Sequence, residues 1–214
     1  MTERTVAVGF LHPEPLGRPI RAGDPRTLGR PSTALLRDAI ERNDVATARA
    51  LLEYLPHEEK FVYDLNRDDA WAWMTYVADR WGEERIFELN WLVFTAVAGR
   101  EGRRRLRALP VDEQVALVAE MMRGHRSGPR DAGSVQVVEE PDRFVMSFDP
   151  CGSGGRQRRG DPVDGTAART EPPFNYGVTK RAYDWSWNRA GVCYYCTHCA
   201  IYDEMVGIAE YGTP

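Results

Sequence analysis

The sequence GSVQVVEEPDRFVMSFDPC, residues 133–151, marks the point at which the chain changes from a helical to an extended pattern. Two short runs rich in valine, phenylalanine and methionine flank the Pro141-Asp142 pair, and such runs around turn residues are typical of a β-hairpin. The second run leads directly to Cys151. We therefore expect the Cys151 thiol to emerge from the edge of a hairpin.

Upstream of this hairpin, apolar residues recur at helical spacing. Ser32 is placed to cap a first short helix, and Asn43-Asp44 separates it from a second helix that ends before Pro56. Further helices are predicted over residues 68–81, 83–98 and 112–124.

The chain divides into three parts on this pattern. Residues 1–31 contain five prolines with glycines and arginines between them, which predicts an extended arm. Residues 32–130 form a helical region, and residues 131–214 form a β-hairpin followed by an irregular cysteine-rich region with a short final helix. With 214 residues, of which 43% are hydrophobic, the last two parts have enough apolar surface for one compact unit. The predicted fold class is α+β, with a cysteine-ligated metal site in the C-terminal region.

Charge and hydropathy exclude several classes of protein. The net charge of -4 argues against a general nucleic-acid-binding protein, which is usually basic. The mean hydropathy is -0.50, and no apolar run approaches the roughly 18 residues that a membrane span needs. The N-terminus has no signal-peptide pattern. We expect a cytoplasmic protein that binds no membrane and no nucleic acid and acts on a small molecule, and the oligomeric state stays open.

The chain has four cysteines, all in its last third. Cys193, Cys196 and Cys199 form a C-x2-C-x2-C run, and Cys151 lies 42 residues upstream of it. Clustered cysteines in a cytosolic chain are more often metal ligands or catalytic groups than disulfides. Four thiolates complete a tetrahedral zinc site, which we favour, or bind a four-iron–sulfur cluster. The alternative is reduced thiols without a metal, or one redox-active C-x2-C pair.

Polar groups close to the run are candidates for chemistry. His198 lies between two of the cysteines and is predicted to be either a ligand or a catalytic group. Glu204 follows one helical turn after Cys199 and, like its neighbour Asp203, could orient a ligand or carry a proton.

Arginine and aromatic residues predict a binding site for the substrate beside the metal. Glycines after Cys151 allow backbone amides to converge on an anion, and arginines donate in pairs to carboxylate or phosphate. The residues predicted to bind the anion are Arg156, Arg158 and Arg159. Trp185 and Tyr195 are predicted to wall the pocket.

The stretch PCGSG, residues 150–154, resembles part of the zinc-binding tail motif of SecA-type proteins, which reads C-x-C-G-S-G followed by basic residues. Asp149 stands where that motif has its first cysteine, and no cysteine or histidine closes the motif a few residues later. The resemblance is short, and it implies only that Cys151 is a metal ligand.

These observations favour a zinc-dependent enzyme, a hydrolase or lyase, that acts on a small anionic or aromatic molecule at an open metal position. One alternative is a four-iron–sulfur protein with a redox role. Another is a non-enzymatic protein in which a structural zinc site of four cysteines supports partner binding. His198 tips the balance towards an enzyme, because a closed four-cysteine site needs no fifth ligand.

Overall fold

The computed structural model of the protein describes residues 8–125, 135–147 and 151–213. Within them the fold combines helices with two small antiparallel sheets, which confirms the α+β class at this level. The helices are α1 (Pro25–Leu28), α2 (Ser32–Glu41), α3 (Val45–Trp81), α4 (Glu84–Thr95), α5 (Val97–Arg107), α6 (Val111–Arg123), α7 (Gly154–Arg159) and α8 (Gly207–Tyr211). None of these helices, in the part of the chain that is described, is long and apolar enough to cross a membrane.

The proline-rich N-terminal part contains a hairpin that the sequence pattern does not predict. Strand β1 (Val8–Leu11) pairs antiparallel with β2 (Ile20–Gly23). Three prolines fall between the two strands, where no ladder N–H group is lost. The hairpin is held to α3 by Phe10 and Tyr54, whose ring centroids are 5.0 Å apart. Four-residue strands are too short to give a clear periodicity, which explains why the pattern does not predict them.

Helix α3 is one continuous helix of 37 residues, about 55 Å long at 1.5 Å per residue. It replaces a predicted helix ending before Pro56 and a predicted helix over residues 68–81. The predicted end of the first helix and the predicted start of the second are therefore wrong. Proline removes one backbone hydrogen bond. The helix nevertheless continues, because the turns after Pro56 bury Lys60, Asp64 and Arg67 against the C-terminal part of the chain.

The main core lies where α3 and α4 meet residues 170–213, which we call the C-terminal segment. Trp71 is fully buried, and its Nε1 atom donates a hydrogen bond of 2.7 Å to the carbonyl oxygen of Gly177. The buried members of this core are Trp71, Ala78, Ile86, Trp185, Cys193, Tyr194, Ile201 and Val206. Because Cys193 is one of them, the cysteine run belongs to the core and is not an appended tail.

Glu83 ties the C-terminal segment to the start of α4. Its carboxylate accepts hydrogen bonds from Tyr194 Oη at 2.6 Å, Tyr183 Oη at 2.7 Å and the backbone N–H of Lys180 at 2.7 Å. Burial acts to raise the pKa of Glu83, but these donors outweigh it and hold that pKa below its usual range. The C-x2-C turn that contains Tyr194 is thereby fixed by a charged and hydrogen-bonded contact.

The hairpin predicted around Pro141 is confirmed. Strand β3 (Gln136–Glu139) pairs antiparallel with β4 (Phe144–Ser147). The predicted continuation of the second strand into Cys151 lies outside the described residues. The predicted helix over 112–124 matches α6, whereas the one over 83–98 is divided into α4 and the first turn of α5. The predicted final helix is present as a π-helical stretch, Cys199–Val206, that continues into α8.

Candidate functional site

The four cysteines lie on two separate segments. Cys151 begins residues 151–169, which we call the Cys151 arm, and the other three lie on the C-terminal segment. All four thiols are free of disulfides; Cys193 is fully buried, and the remaining three are partly buried.

Local backbone geometry directs Cys193 and Cys196 to the same side of their segment. Cys193 forms a backbone bridge with Val178 and precedes a 3-10 turn, Tyr194–Cys196. Residues three apart in such a turn stand above one another, and the N–H of Cys196 donates to the carbonyl oxygen of Cys193 at 2.8 Å. The hydrogen bond with Cys196 lowers the pKa of the Cys193 thiol, against the effect of burial, and the nearby Arg158 lowers it further.

The Cys151 arm passes directly over Cys196, and glycines allow this. A β-carbon at Gly154 would lie 2.7 Å from the sulfur of Cys196 and 2.9 Å from the ring of Tyr195. A β-carbon at Gly155 would lie 2.8 Å from the β-carbon of Cys151. All three distances are well inside van der Waals contact. The two glycines therefore let Cys151 and Cys196 share one small region.

The four sulfur atoms share this region without forming a compact tetrahedron. Cys199 is within electrostatic reach of both Cys196 and Cys151. Among the described residues, however, no three cysteine sulfurs lie within 4.8 Å of one another. A zinc ion with Zn–S bonds of about 2.3 Å holds its sulfurs about 3.8 Å apart. A four-iron cluster holds them farther apart, because each thiolate binds a different iron.

The thiols of Cys196 and Cys199 are held in the neutral form. The hydrogen bond with Cys193, followed by burial, raises the pKa of Cys196 well above its usual range. Burial, followed by the negative charge of Asp203, does the same for the pKa of Cys199. Buried thiols of this kind become thiolates when a metal cation replaces their protons.

His198 contacts Cys199, as its place in the sequence suggested. Its Nδ1 atom donates to the carbonyl oxygen of Tyr195, which leaves Nε2 facing the sulfur of Cys199 at 3.4 Å. Burial lowers the pKa of His198, so its neutral form is favoured. Asp203 is the carboxylate at Cys199, and desolvation raises the pKa of Asp203 to about 6. Asp203 and Glu204 are both exposed to solvent, and of the two it is Asp203 whose charge raises the pKa of Cys199.

The three arginines of the arm have different environments. Arg156 is 3% exposed and its guanidinium group is paired with Asp64 and Asp161. Arg158 and Arg159 are exposed, and Arg158 lies within electrostatic reach of Cys193 and Cys196. Anion binding by these residues stays a prediction, but the guanidinium of Arg156 already has protein partners.

The two predicted pocket residues also differ. Trp185 is 4% exposed and stacks on Tyr183 with ring centroids 4.4 Å apart, so it is a core residue. Tyr195 lies beside the cysteines: its ring is 4.7 Å from that of His198, and its hydroxyl is 3.3 Å from Ser153 Oγ.

A second cluster of acidic residues does not have the character of a metal site. Oxygens of Asp64, Asp161 and Asp164 lie within 4.8 Å of one another. The Nζ atom of Lys60 is 2.7 Å from Asp64, 2.7 Å from Asp161 and 2.6 Å from Asp164. The ammonium group therefore occupies the position that a cation would take. Sequence spacing gives no signal for this cluster, because its members come from α3 and from a loop about 100 residues later.

We expect Gly154→Ala to lower the free energy of unfolding by about 1–3 kcal/mol, the usual cost of overpacking a closely packed site. The added methyl group would collide with Cys196 and Tyr195. Urea unfolding of the metal-free protein measures the effect. Gly102→Ala is the control, because a β-carbon at that helical position meets nothing within 4 Å. Equal stability of the two variants would contradict the close approach of the arm.

No protein-family model matches this chain, and neither a curated protein nor a solved structure matches it. The arrangement of the cysteines and their surroundings is therefore the basis on which a function is proposed.

Proposed function

We propose that Cys151, Cys193, Cys196 and Cys199 bind a four-iron–sulfur cluster and that the protein has a redox role. The observation that carries the proposal is the arrangement of the thiols: they lie around the Gly154–Gly155 backbone, yet no three of the sulfurs, all of which are in the described part of the chain, are close enough for one zinc ion. Three thiolates at C-x2-C-x2-C spacing and one remote thiolate is a ligand pattern that such a cluster accepts. When bound, the cluster would supply one-electron transfer.

The groups around the thiols suit a negatively charged cluster. The backbone N–H of Ser153 donates to the sulfur of Cys151 at 3.4 Å, and hydrogen bonds to ligand sulfurs are one determinant of a cluster's reduction potential. Arg158 brings positive charge close to Cys193 and Cys196. The complete burial of Cys193 would keep one corner of the cluster from water.

A zinc-dependent enzyme for a small anionic or aromatic molecule is the second candidate. The thiols of Cys193 and Cys196, each of which shifts the pKa of the other, favour it, because a C-x2-C pair facing one ion is the usual zinc knuckle. Because no three of the sulfurs lie within reach of one ion in the described structure, a third cysteine would have to move towards this pair when zinc binds, and His198 beside Cys199 would be the acid–base group. The exposed Arg158 would bind the anionic part of the substrate.

The test is elemental analysis of protein purified without oxygen, combined with its visible absorption and its EPR spectrum after reduction. We expect about four irons per chain and broad visible absorbance. About one zinc per chain without visible absorbance would contradict the cluster and support the second candidate. Protein that binds neither metal would contradict both proposals.

Single Cys→Ser variants at the four positions identify the ligands. Each is expected to bind fewer than four irons, because serine binds iron poorly in place of a thiolate. Thr197→Ser is the control: this residue is fully buried within the same run, and serine keeps the hydroxyl that donates to the Tyr194 carbonyl oxygen at 2.7 Å. Full iron content in any Cys→Ser variant would remove that cysteine from the ligand set.

A further inference from the structure

Two buried arginines hold the peptide group that follows Cys151. The carbonyl oxygen of Gly152 accepts a hydrogen bond from Arg156 Nε at 3.0 Å and a longer one from Arg67 Nη1 at 3.5 Å. Gly152 is itself buried. Both donors lie inside the fold, so this carbonyl group is fixed by charged side chains and is not left to solvent.

The same peptide group contacts the thiol on its other side. The N–H of Ser153 belongs to the peptide plane of the Gly152 carbonyl, and in a planar trans peptide the two groups point in opposite directions. This N–H donates to the sulfur of Cys151 at 3.4 Å. Arg156 therefore fixes the plane whose opposite edge holds the Cys151 sulfur.

Arg156 is itself held in a fixed orientation. Its Nη1 atom pairs with Asp161 and its Nη2 atom with Asp64, a residue of α3. Lys60 shares both carboxylates and adds Asp164. A planar guanidinium with carboxylates on two edges has little freedom to rotate. The ion pair between Arg156 and Asp64 therefore fixes the position of the Cys151 arm relative to helix α3.

We propose that Arg156 is a positioning residue that directs Cys151 towards Cys193, Cys196 and Cys199; this inference rests on the proposed metal centre. Its guanidinium holds the Gly152 carbonyl, the shared peptide plane holds the Cys151 sulfur, and Arg67 supports the same carbonyl more weakly. The arm supplies the fourth ligand because α3 holds it in place before any metal binds.

The test compares Arg156→Met with Arg169→Met. Arg169 is on the same arm, is 5% exposed, and forms two hydrogen bonds to Asp68 of α3 at 2.7 and 3.0 Å, and its other side-chain hydrogen bonds in the described structure go to Thr166 and Ala167 and not to Gly152. Both variants lose an ion pair between the arm and α3, and Arg156→Met also loses its pair with Asp161, which the charge-balanced variant below controls for. In the iron-loaded protein, we expect Arg156→Met to lose the iron bound by Cys151. The oxidised protein would then give a three-iron EPR signal, as Cys151→Ser would, while Arg169→Met keeps the four-iron form.

A second readout needs no metal. In the apo protein, a short dithiol-reactive reagent such as dibromobimane should crosslink Cys151 to the C-terminal cysteines, and peptide mapping measures the yield. We expect a severalfold lower yield for Arg156→Met than for Arg169→Met. Equal yields would overturn the positioning role whatever metal the protein binds. Wild-type protein that crosslinks but binds no metal would contradict the proposed function and leave the positioning of Cys151 supported.

A charge-balanced variant covers the case in which Arg156→Met fails to fold. Arg156→Met/Asp161→Asn removes one positive and one negative charge from the cluster, so no unpaired charge is left by the pair. If this folded variant keeps the wild-type crosslinking yield, the proposal is wrong. A reduced yield supports it.

Discussion

Trp71→Ala is expected to lower the free energy of unfolding by about 3–5 kcal/mol, the usual cost of truncating a buried aromatic side chain to alanine. Trp71 is fully buried at the centre of the core that contains Cys193 and Tyr194. The substitution also removes the 2.7 Å hydrogen bond to the Gly177 carbonyl oxygen. Urea unfolding of the metal-free protein, followed by far-ultraviolet circular dichroism, measures the change.

Trp73→Ala is the matched control for this experiment. Trp73 lies two residues further along the same helix but is 69% exposed. Its removal should change stability by no more than about 0.5 kcal/mol, as for most surface substitutions. A similar loss in both variants would mean that the core is not built on the Trp71 face of α3.

Helical periodicity predicted the elements whose buried faces are apolar. Leu35 and Ala39 of α2 are buried at the predicted spacing, and Ile86 of α4 is fully buried. The valine-rich hairpin was equally clear from its Pro141-Asp142 turn. In the two helices the apolar residues carry both the local pattern and the burial, whereas in the hairpin they carry the pattern alone, because Val137, Val138 and Phe144 are exposed.

In helix α3, apolar periodicity does not identify the buried face. Between Pro56 and Trp71 its buried positions are Lys60, Asp64 and Arg67, so the face that packs inwards is charged. A search for apolar periodicity finds nothing there, although the spacing of these three residues is helical. Their partners lie on the Cys151 arm, far away in sequence, and no local signal relates the two segments.

For the candidate site too, the sequence predicted the local features and missed the contacts between distant segments. The C-x2-C-x2-C spacing is a local feature, and it predicts three thiols on one side of a turn. The nearness of Cys151 depends instead on Gly154, which leaves space for Cys196, and on Arg156, which is held by Asp64 and Asp161. Arginine after a glycine-rich stretch was interpreted as an anion-binding feature, because the sequence does not show that Asp161 of the same arm and Asp64 of α3 both pair with it.

Lys60→Met is expected to lower the free energy of unfolding by about 3–5 kcal/mol, because removing one partner of a buried ion cluster leaves uncompensated charge in the interior. The Lys60 side chain is 2% exposed and contacts Asp64, Asp161 and Asp164. Burial acts to lower the pKa of Lys60, but its three carboxylate partners outweigh burial and raise it. Lys180→Met is the control, since Lys180 is 70% exposed and 3.7 Å from Asp79; an exposed pair of this kind contributes no more than about 1 kcal/mol.

The pH dependence of unfolding tests the same cluster without relying on truncation alone. Burial acts to raise the pKa of Asp164, but hydrogen bonds from Lys60 and Thr166 outweigh it and lower that pKa. A carboxyl group with a lowered pKa in the folded state stabilises the fold above its unfolded pKa, and this contribution is lost as the pH falls through the folded value. Wild-type stability should therefore decrease below about pH 3.9, the usual pKa of aspartate.

The decrease should be smaller in Lys60→Met/Asp164→Asn, which should also recover part of the stability lost in Lys60→Met. If the double variant is no more stable than Lys60→Met at neutral pH, unpaired negative charge is not the cause of the loss. The hold of α3 on the Cys151 arm would then depend on packing and not on charge.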